Sequence, residues 1–135
     1  MSAVPERLAA DVAHRAGGRC EYCHLAQAGQ EARFHVDHVF PSSAGGPTVL
    51  ENLALACVSC SLRKGARHQA NDPLTDQPVS LFNPRTQAWD DHFRWQGFVV
   101  AGLTATGRAT IAALAMNRPL IVAIRQEEQL RGRFP

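Results

Sequence analysis

The fold is best predicted from the segment His35-Val36-Asp37-His38-Val39-Phe40-Pro41, which Cys57-Val58-Ser59-Cys60 follows later in the chain. Apolar and polar residues alternate in the first segment, which predicts a short strand ended by the proline. A glycine-rich loop follows over residues 42–47, and residues 51–56 predict a second strand. The Cys-x-x-Cys then opens a polar, basic helix. Strand, loop, strand and helix in this order make a compact place to hold a metal ion.

Two Cys-x-x-Cys pairs indicate a metal site. Cys20 and Cys23 are separated from Cys57 and Cys60 by the 33 residues 24–56. Each pair can place two sulfurs on one tetrahedral zinc ion, and the predicted strand pair fits in the gap. We therefore predict a closed, structural zinc site. The alternatives are a thioredoxin-like redox pair, which should accompany a βαβ pattern, and buried free cysteines.

A zinc ion held by four thiolates has no open coordination position and cannot be the catalytic metal. The candidates for chemistry are His35, Asp37, His38, Asn52 and the helix after Cys60. A histidine suits the activation of water near neutral pH, and a carboxylate is a natural ligand for Mg²⁺ or Mn²⁺. Because neighbouring strand residues point to opposite sides, Asp37 could face a metal while His38 addresses a water molecule. The reaction to test is hydrolysis of a nucleic-acid phosphodiester.

The ordered set of motifs resembles the HNH endonuclease family, which has the ββα-metal (His-Me finger) fold. The resemblance covers residues 15–65 closely, and it is carried by both cysteine pairs, Val36-Asp37-His38-Val39, Pro41, Gly45-Gly46, Asn52-Leu53 and Lys64-Gly65. A further stretch over residues 72–104 resembles a C-terminal extension of one small bacterial branch.

The resemblance implies a role for each matching residue. It makes His38 the general base and Asp37 a ligand of a catalytic Mg²⁺ or Mn²⁺, and it assigns the four cysteines to structural zinc. Asn52 would tie the loop between the strands through backbone hydrogen bonds and so orient His38; the alternative is a plain turn residue. His35 shares the strand face of Asp37 and is expected to support metal or phosphate binding.

One position departs from the family pattern. The family usually follows the last cysteine with Asn or His, the second protein ligand of the catalytic metal, and this chain has Ser61 there. A neutral hydroxyl is a poor, short ligand, so the metal site is expected to be weak, completed by water, or lost. His68 is a candidate substitute, two helical turns or about 10 Å further along.

The remaining segments complete the predicted fold. Apolar spacing predicts a helix over residues 5–16, and residues 92–95 and 98–101 predict a hairpin that turns at Gln96-Gly97. A helix capped by Thr104 or Thr106 should run to Met116, a last helix should cover residues 120–130, and residues 71–78 should form turns.

We therefore predict one α+β domain over residues 1–135. It would contain a zinc-stapled ββα-metal core at about residues 15–67 with an N-terminal helix, and a C-terminal extension at about residues 72–135 with a hairpin and two helices.

Charge and hydropathy limit the setting. The formal net charge of +2 is too small to indicate nucleic-acid binding by itself. Arg63, Lys64 and Arg67 could grip phosphates, or they could form a solvated helix face. No apolar run approaches the roughly 20 residues that span a bilayer, and the N-terminus lacks the apolar segment of a signal peptide, so we expect a cytoplasmic protein without a membrane contact.

The leading prediction is a metal-dependent endonuclease that acts on DNA with low sequence specificity. The alternative, which Ser61 favours, is a catalytically weak or inactive HNH-fold module that binds nucleic acid or a partner protein. A purely structural zinc protein would leave the adjacent Asp37 and His38 without a purpose.

Overall fold

A computed structural model describes residues 4–135. Within that range the chain forms five α-helices and three two-stranded antiparallel sheets, which confirms the predicted α+β class. The helices are α1 Glu6–Arg15, α2 Val58–Lys64, α3 Trp89–His92, α4 Ala105–Ala113 and α5 Pro119–Leu130, and the strands are β1 His35–His38, β2 Leu53–Ala56, β3 Gln69–Asn71, β4 Pro78–Ser80, β5 Phe93–Gln96 and β6 Val99–Gly102. Among the described residues, no helix has the length and apolar character needed to cross a membrane.

The described residues divide into two compact units. The first unit runs to His68 and includes Asn83–Thr86, and the second comprises Gln69–Phe82 and Gln87–Pro135. The end of the first unit lies next to the predicted end of the ββα core at about residue 67. The single-domain organisation stays a prediction.

The core of the first unit is built around β2. All four residues of β2 are buried, and β1 pairs with it antiparallel, so that His35 lies opposite Ala56 and His38 opposite Leu53. The helix α1 contacts β2 and buries Val12 completely, while α2 contacts both strands. The order β1, β2, α2 is therefore the predicted ββα arrangement.

Glu21, which lies between Cys20 and Cys23, joins the first cysteine pair to β2. Its backbone N–H donates to the Leu55 carbonyl at 2.8 Å, and the Leu55 N–H donates to the Glu21 carboxylate at 2.8 Å. The same carboxylate forms an ion pair with Arg85, whose guanidinium also donates to the Leu53 carbonyl at 3.2 Å. The same strand thus positions both cysteine pairs, since Cys57 directly follows the last residue of β2.

The second predicted strand begins later than expected. Residues Leu50–Asn52 form a 3₁₀ turn, and regular pairing starts at Leu53. The Asn52 N–H donates to the Val49 carbonyl at 2.9 Å, which closes the turn before the strand. The predicted start at Glu51 was therefore wrong by two residues.

The second unit contains a hairpin that the sequence pattern did not predict. Strands β3 and β4 pair on either side of the predicted turn, with Asn71 opposite Pro78. Asp72 is completely buried in this turn, where its carboxylate accepts hydrogen bonds from the Leu74 N–H, the Thr75 hydroxyl and the Arg108 guanidinium. Strands of only three residues are too short to show an alternating pattern.

Two boundaries in the second unit also differ from prediction. The hairpin of β5 and β6 turns at Gly97-Phe98, because Gln96 pairs with Val99 and the glycine takes the turn position with φ +62°. The helix α4 is capped by Thr104, which accepts from the Gly107 N–H at 3.0 Å, and it ends at Ala113, three residues before the predicted end.

Candidate metal centre and active site

Four cysteine side chains converge in the first unit. All four are buried and their Sγ atoms lie within 4.8 Å of one another, with Cys23 and Cys57 at 3.7 Å; the group is Cys20, Cys23, Cys57 and Cys60. Ligands about 2.3 Å from a tetrahedral zinc ion lie about 3.8 Å from each other. The predicted cluster that could hold a metal such as zinc is confirmed.

Each cysteine pair is shaped by a turn whose backbone N–H points at the first sulfur. The Cys23 N–H donates to the Cys20 Sγ at 3.5 Å, and the Cys60 N–H donates to the Cys57 Sγ at 3.4 Å. The second of these contacts is also the N-cap of α2. Backbone donors aimed at sulfur favour its thiolate form, the form that binds metal.

The thiols of the cluster differ in how readily they ionise without a metal ion. Hydrogen bonds from Cys20, Cys23 and Cys60 hold the pKa of Cys57 well below its ordinary value. Burial raises the pKa of Cys20 well above the ordinary value. Four thiolates so close together in a buried place need a compensating positive charge, which a bound ion supplies.

Strand β1 carries the candidate catalytic residues on two faces. Alternation places His35 and Asp37 on one face and His38 on the other, and all are half-buried. The His38 Nε2 lies 2.8 Å from the Thr48 hydroxyl oxygen. When Nε2–H donates to that oxygen, Nδ1 keeps the lone pair that can accept a proton. Thr48 was not predicted from the sequence, where it is one polar residue just after the glycine-rich loop of residues 42–47.

The Asn52 side chain ties the loop between the strands. Its Oδ1 accepts from the Phe40 N–H at 2.9 Å, while Nδ2 donates to the carbonyls of Phe40 at 3.0 Å and Pro47 at 2.9 Å. Gly46 passes so close that a Cβ there would lie 1.9 Å from the Phe40 carbonyl oxygen. The loop conformation that brings Thr48 to His38 thus depends on an amide and on a position without a side chain.

Ser61 lies in the first turns of α2, where its hydroxyl contacts His35. The Ser61 Oγ is 2.7 Å from the His35 Nδ1, and the serine is 9% exposed. Its backbone is also engaged, because its N–H donates to the Cys57 carbonyl and its carbonyl accepts from the Gly65 N–H. The residue expected to be a weak metal ligand is held against a neighbouring imidazole.

Lys64 lies in a different environment from the one the sequence suggested. It is 2% exposed rather than part of a solvent-facing basic surface, and its Nζ donates to the His38 carbonyl at 3.0 Å. Burial lowers the pKa of the Lys64 ammonium, and the charge of Asp37 opposes that shift. The Lys64 ammonium therefore holds the backbone of His38, and it is close enough to Asp37 to interact with its charge.

The other predicted phosphate-binding cations are exposed at the end of α2. The Arg63 Nε donates to the Ser59 hydroxyl at 3.1 Å, and the Arg67 guanidinium donates to the Arg63 carbonyl at 2.7 Å. His68, the candidate substitute ligand, packs its ring centroid 4.9 Å from that of Phe40.

The donors near Asp37 suit a hard or borderline divalent cation. The face of β1 that carries Asp37 also carries His35, so it offers a carboxylate and an imidazole. Among the residues that the structure describes, the cysteines are the one group of three or more His, Cys, Asp or Glu side chains close enough to share an ion. A cation at Asp37 would therefore have few protein ligands and would keep water or phosphate oxygens, as Mg²⁺ usually does.

Residues 20–67 match the model of the HNH endonuclease family. The matched segment contains both cysteine pairs, β1, β2 and α2, which confirms the resemblance seen in the sequence. No curated protein and no solved structure gave a significant match.

Proposed function

We propose that the chain is a metal-dependent endonuclease that hydrolyses phosphodiester bonds in DNA. The observation that carries the proposal is the pairing of His38 with Thr48 beside Asp37, inside a segment that matches a nuclease family. In this pairing the His38 Nε2 is hydrogen-bonded and Nδ1 can accept a proton. The Asp37 carboxylate lies on the opposite face of the strand.

His38 acts as the general base in this proposal. The Thr48 oxygen holds Nε2 at 2.8 Å, so Nδ1 accepts a proton from the water that attacks phosphorus. The Lys64 hydrogen bond to the His38 carbonyl and the three Asn52 hydrogen bonds keep the strand end and the loop in place. The imidazole is thus oriented before substrate arrives, which is how a positioned base gains its rate advantage.

Asp37 binds the catalytic cation. A divalent ion held there would supply positive charge to stabilise the departing oxygen. In-line displacement requires the base and the leaving oxygen to lie on opposite sides of phosphorus, and we assign His38 to the first side and the ion at Asp37 to the second. The four cysteines take no part in this chemistry, because a four-thiolate zinc site is closed. Their role is to hold the segment of Cys20 and Cys23 against β2 and α2.

Arg63 and Arg67 are the cations we assign to the phosphate backbone of DNA, since Arg63 is exposed in the last turn of α2 and Arg67 is exposed three residues beyond its end. His35 lies on the face of β1 that carries Asp37, so we assign it to the metal side of the site. Contacts to phosphate carry no sequence information, so we propose low sequence specificity.

A second candidate function is an inactive HNH-fold module that binds nucleic acid or a partner protein. The observation that favours it is the engagement of the Ser61 hydroxyl by His35, at the position where the family resemblance implies a metal ligand. Such a module would retain the zinc centre and the arginines and would lack turnover.

Cleavage of supercoiled plasmid separates the two functions. The zinc-loaded protein should nick plasmid with Mg²⁺, Mn²⁺ or Ni²⁺, and His38→Ala should lower the rate by about 10²- to 10⁴-fold while DNA binding remains. His14→Ala, at an exposed position of α1, is the matched control and should cleave like the parent. DNA binding without cleavage under any of these metals would establish the binding module instead.

A further inference from the structure

His35 has the features of a metal ligand rather than of a support. It lies two positions before Asp37 in β1, so the two side chains leave the same face of the strand about 7 Å apart. Side chains of this length can converge on one ion from that separation, because each reaches several ångströms beyond its Cβ. The Asp37 carboxylate and the His35 imidazole could then bind the same ion from one face of the strand.

The contact with Ser61 determines which ring nitrogen of His35 is available. Nδ1 lies 2.7 Å from the Ser61 Oγ, and the serine is fixed by its own backbone hydrogen bonds to Cys57 and Gly65. With Nδ1–H donated to that oxygen, Nε2 carries the lone pair. Metal-binding histidines have this arrangement, with one nitrogen bound to a polar group that fixes the tautomer and the other bound to the ion.

We propose that His35 Nε2 and the Asp37 carboxylate are the two protein ligands of the divalent cation, and that Ser61 is a positioning residue that orients His35. The proposal rests on the proposed function for the identity of the site, and it assigns Ser61 a contact with the imidazole in place of a contact with the ion. An imidazole ligand favours Mn²⁺ and Ni²⁺ over Mg²⁺. The site should therefore bind Mn²⁺ and Ni²⁺ more tightly than Mg²⁺.

The test is the binding of Mn²⁺ to zinc-loaded protein, measured by calorimetry and by pulsed electron paramagnetic resonance. A directly bound imidazole gives a ¹⁴N coupling to Mn²⁺, which does not depend on turnover. The parent should show this coupling. His35→Gln, which keeps a polar side chain of similar length next to Ser61, should abolish the coupling and weaken Mn²⁺ binding by about 10- to 100-fold.

Two controls separate ligation from general damage. His38→Ala should keep the ¹⁴N coupling, because that imidazole lies on the other face of β1, and His14→Ala should behave like the parent. Ser61→Ala should retain zinc and keep the coupling but weaken Mn²⁺ binding by about tenfold or more, as expected for loss of an orienting partner. Coupling retained in His35→Gln, or lost in His38→Ala, would overturn the assignment.

The binding result can be separated from the endonuclease proposal. If none of the proteins cleaves DNA but the ¹⁴N coupling depends on His35, the ligand assignment stands and the proposed reaction falls. If His38→Ala abolishes cleavage while His35→Gln binds Mn²⁺ and cleaves like the parent, the reaction stands and the ligand assignment falls.

Discussion

Replacement of Gly46 by alanine should separate the geometry of the loop from its stability. A Cβ at this position would lie 1.9 Å from the Phe40 carbonyl oxygen and 2.9 Å from the Asn52 Nδ2, whereas real Cβ contacts are essentially never under 3.0 Å. The loop must therefore retreat by about 1 Å or more, a distance at which hydrogen bonds lose most of their strength. The two bonds donated by Nδ2 are the ones at risk, and at about 0.5–1.5 kcal/mol each their loss should cost about 1–3 kcal/mol of unfolding free energy.

The larger effect of Gly46→Ala should be on turnover. The clash falls on Phe40, two residues after His38, as well as on the loop that carries Thr48, so the imidazole itself is displaced in addition to losing its hydrogen bond. A misplacement of about 1 Å can cost about 10²-fold in rate. Urea denaturation and plasmid nicking should be measured on the same preparation, with zinc content checked by elemental analysis.

Gly45→Ala is the matched control for this experiment. No atom lies within 4 Å of the Cβ that it would add, but its backbone has φ +94°, so the cost is conformational strain of about 1–2 kcal/mol. The entropic gain from removing a glycine is common to both variants. Similar losses of stability with a large rate loss only in Gly46→Ala are expected. Equal rate losses in the two variants, or a parental rate in Gly46→Ala, would refute the link between the loop and the base.

Three further predictions test the metal centre, the base and the second unit. Purified protein should carry about one zinc ion per chain, and Cys60→Ser should lose the ion together with the fold around it, because binding energy at a structural site is folding energy; a folded protein without zinc would contradict this. Thr48→Val should lower the cleavage rate by about 2- to 10-fold, which corresponds to one hydrogen bond of about 0.5–1.5 kcal/mol. Thr48→Ser, which keeps the hydroxyl, should cleave at the parental rate. An equal loss of rate in both variants would show that the hydroxyl does not orient His38. Hydrogen bonds from Arg108 hold the pKa of Asp72 below its ordinary value, so its stabilising contribution is complete above about pH 4 and is lost as the pH falls further. The difference in Tm between the parent and Asp72→Asn should therefore shrink on acidification, and a difference that does not change with pH would refute the assignment.

Features that depend on short-range spacing were predictable. The cysteine pairs, the helix α1 and a threonine cap before α4 all follow from residues within a few positions of one another, and the structure selects Thr104 over Thr106 as the cap. The pairing of β1 with β2 also follows, because strands that are consecutive in the chain are usually neighbours in a sheet. Some errors were in boundaries, as at Leu50–Asn52, where a local turn bond competes with strand pairing and the sequence pattern is the same for both. The hairpin of β3 and β4 was missed altogether, because its strands are only three residues long.

The amino-acid sequence alone establishes which chemical groups are present: four thiols in two pairs, and a carboxylate and two imidazoles within four consecutive positions of one strand. How those groups are oriented depends on the tertiary structure. Thr48 meets His38 from ten positions away, while Ser61 meets His35 and Lys64 meets the His38 carbonyl from 26 positions away. Such contacts depend on the path of the loop and on the direction of α2 relative to β1, and neither leaves a periodic mark in the chain. A serine or a lysine has the same sequence pattern whether it faces solvent or a buried imidazole, because the packing of the other elements determines which side of the helix is covered.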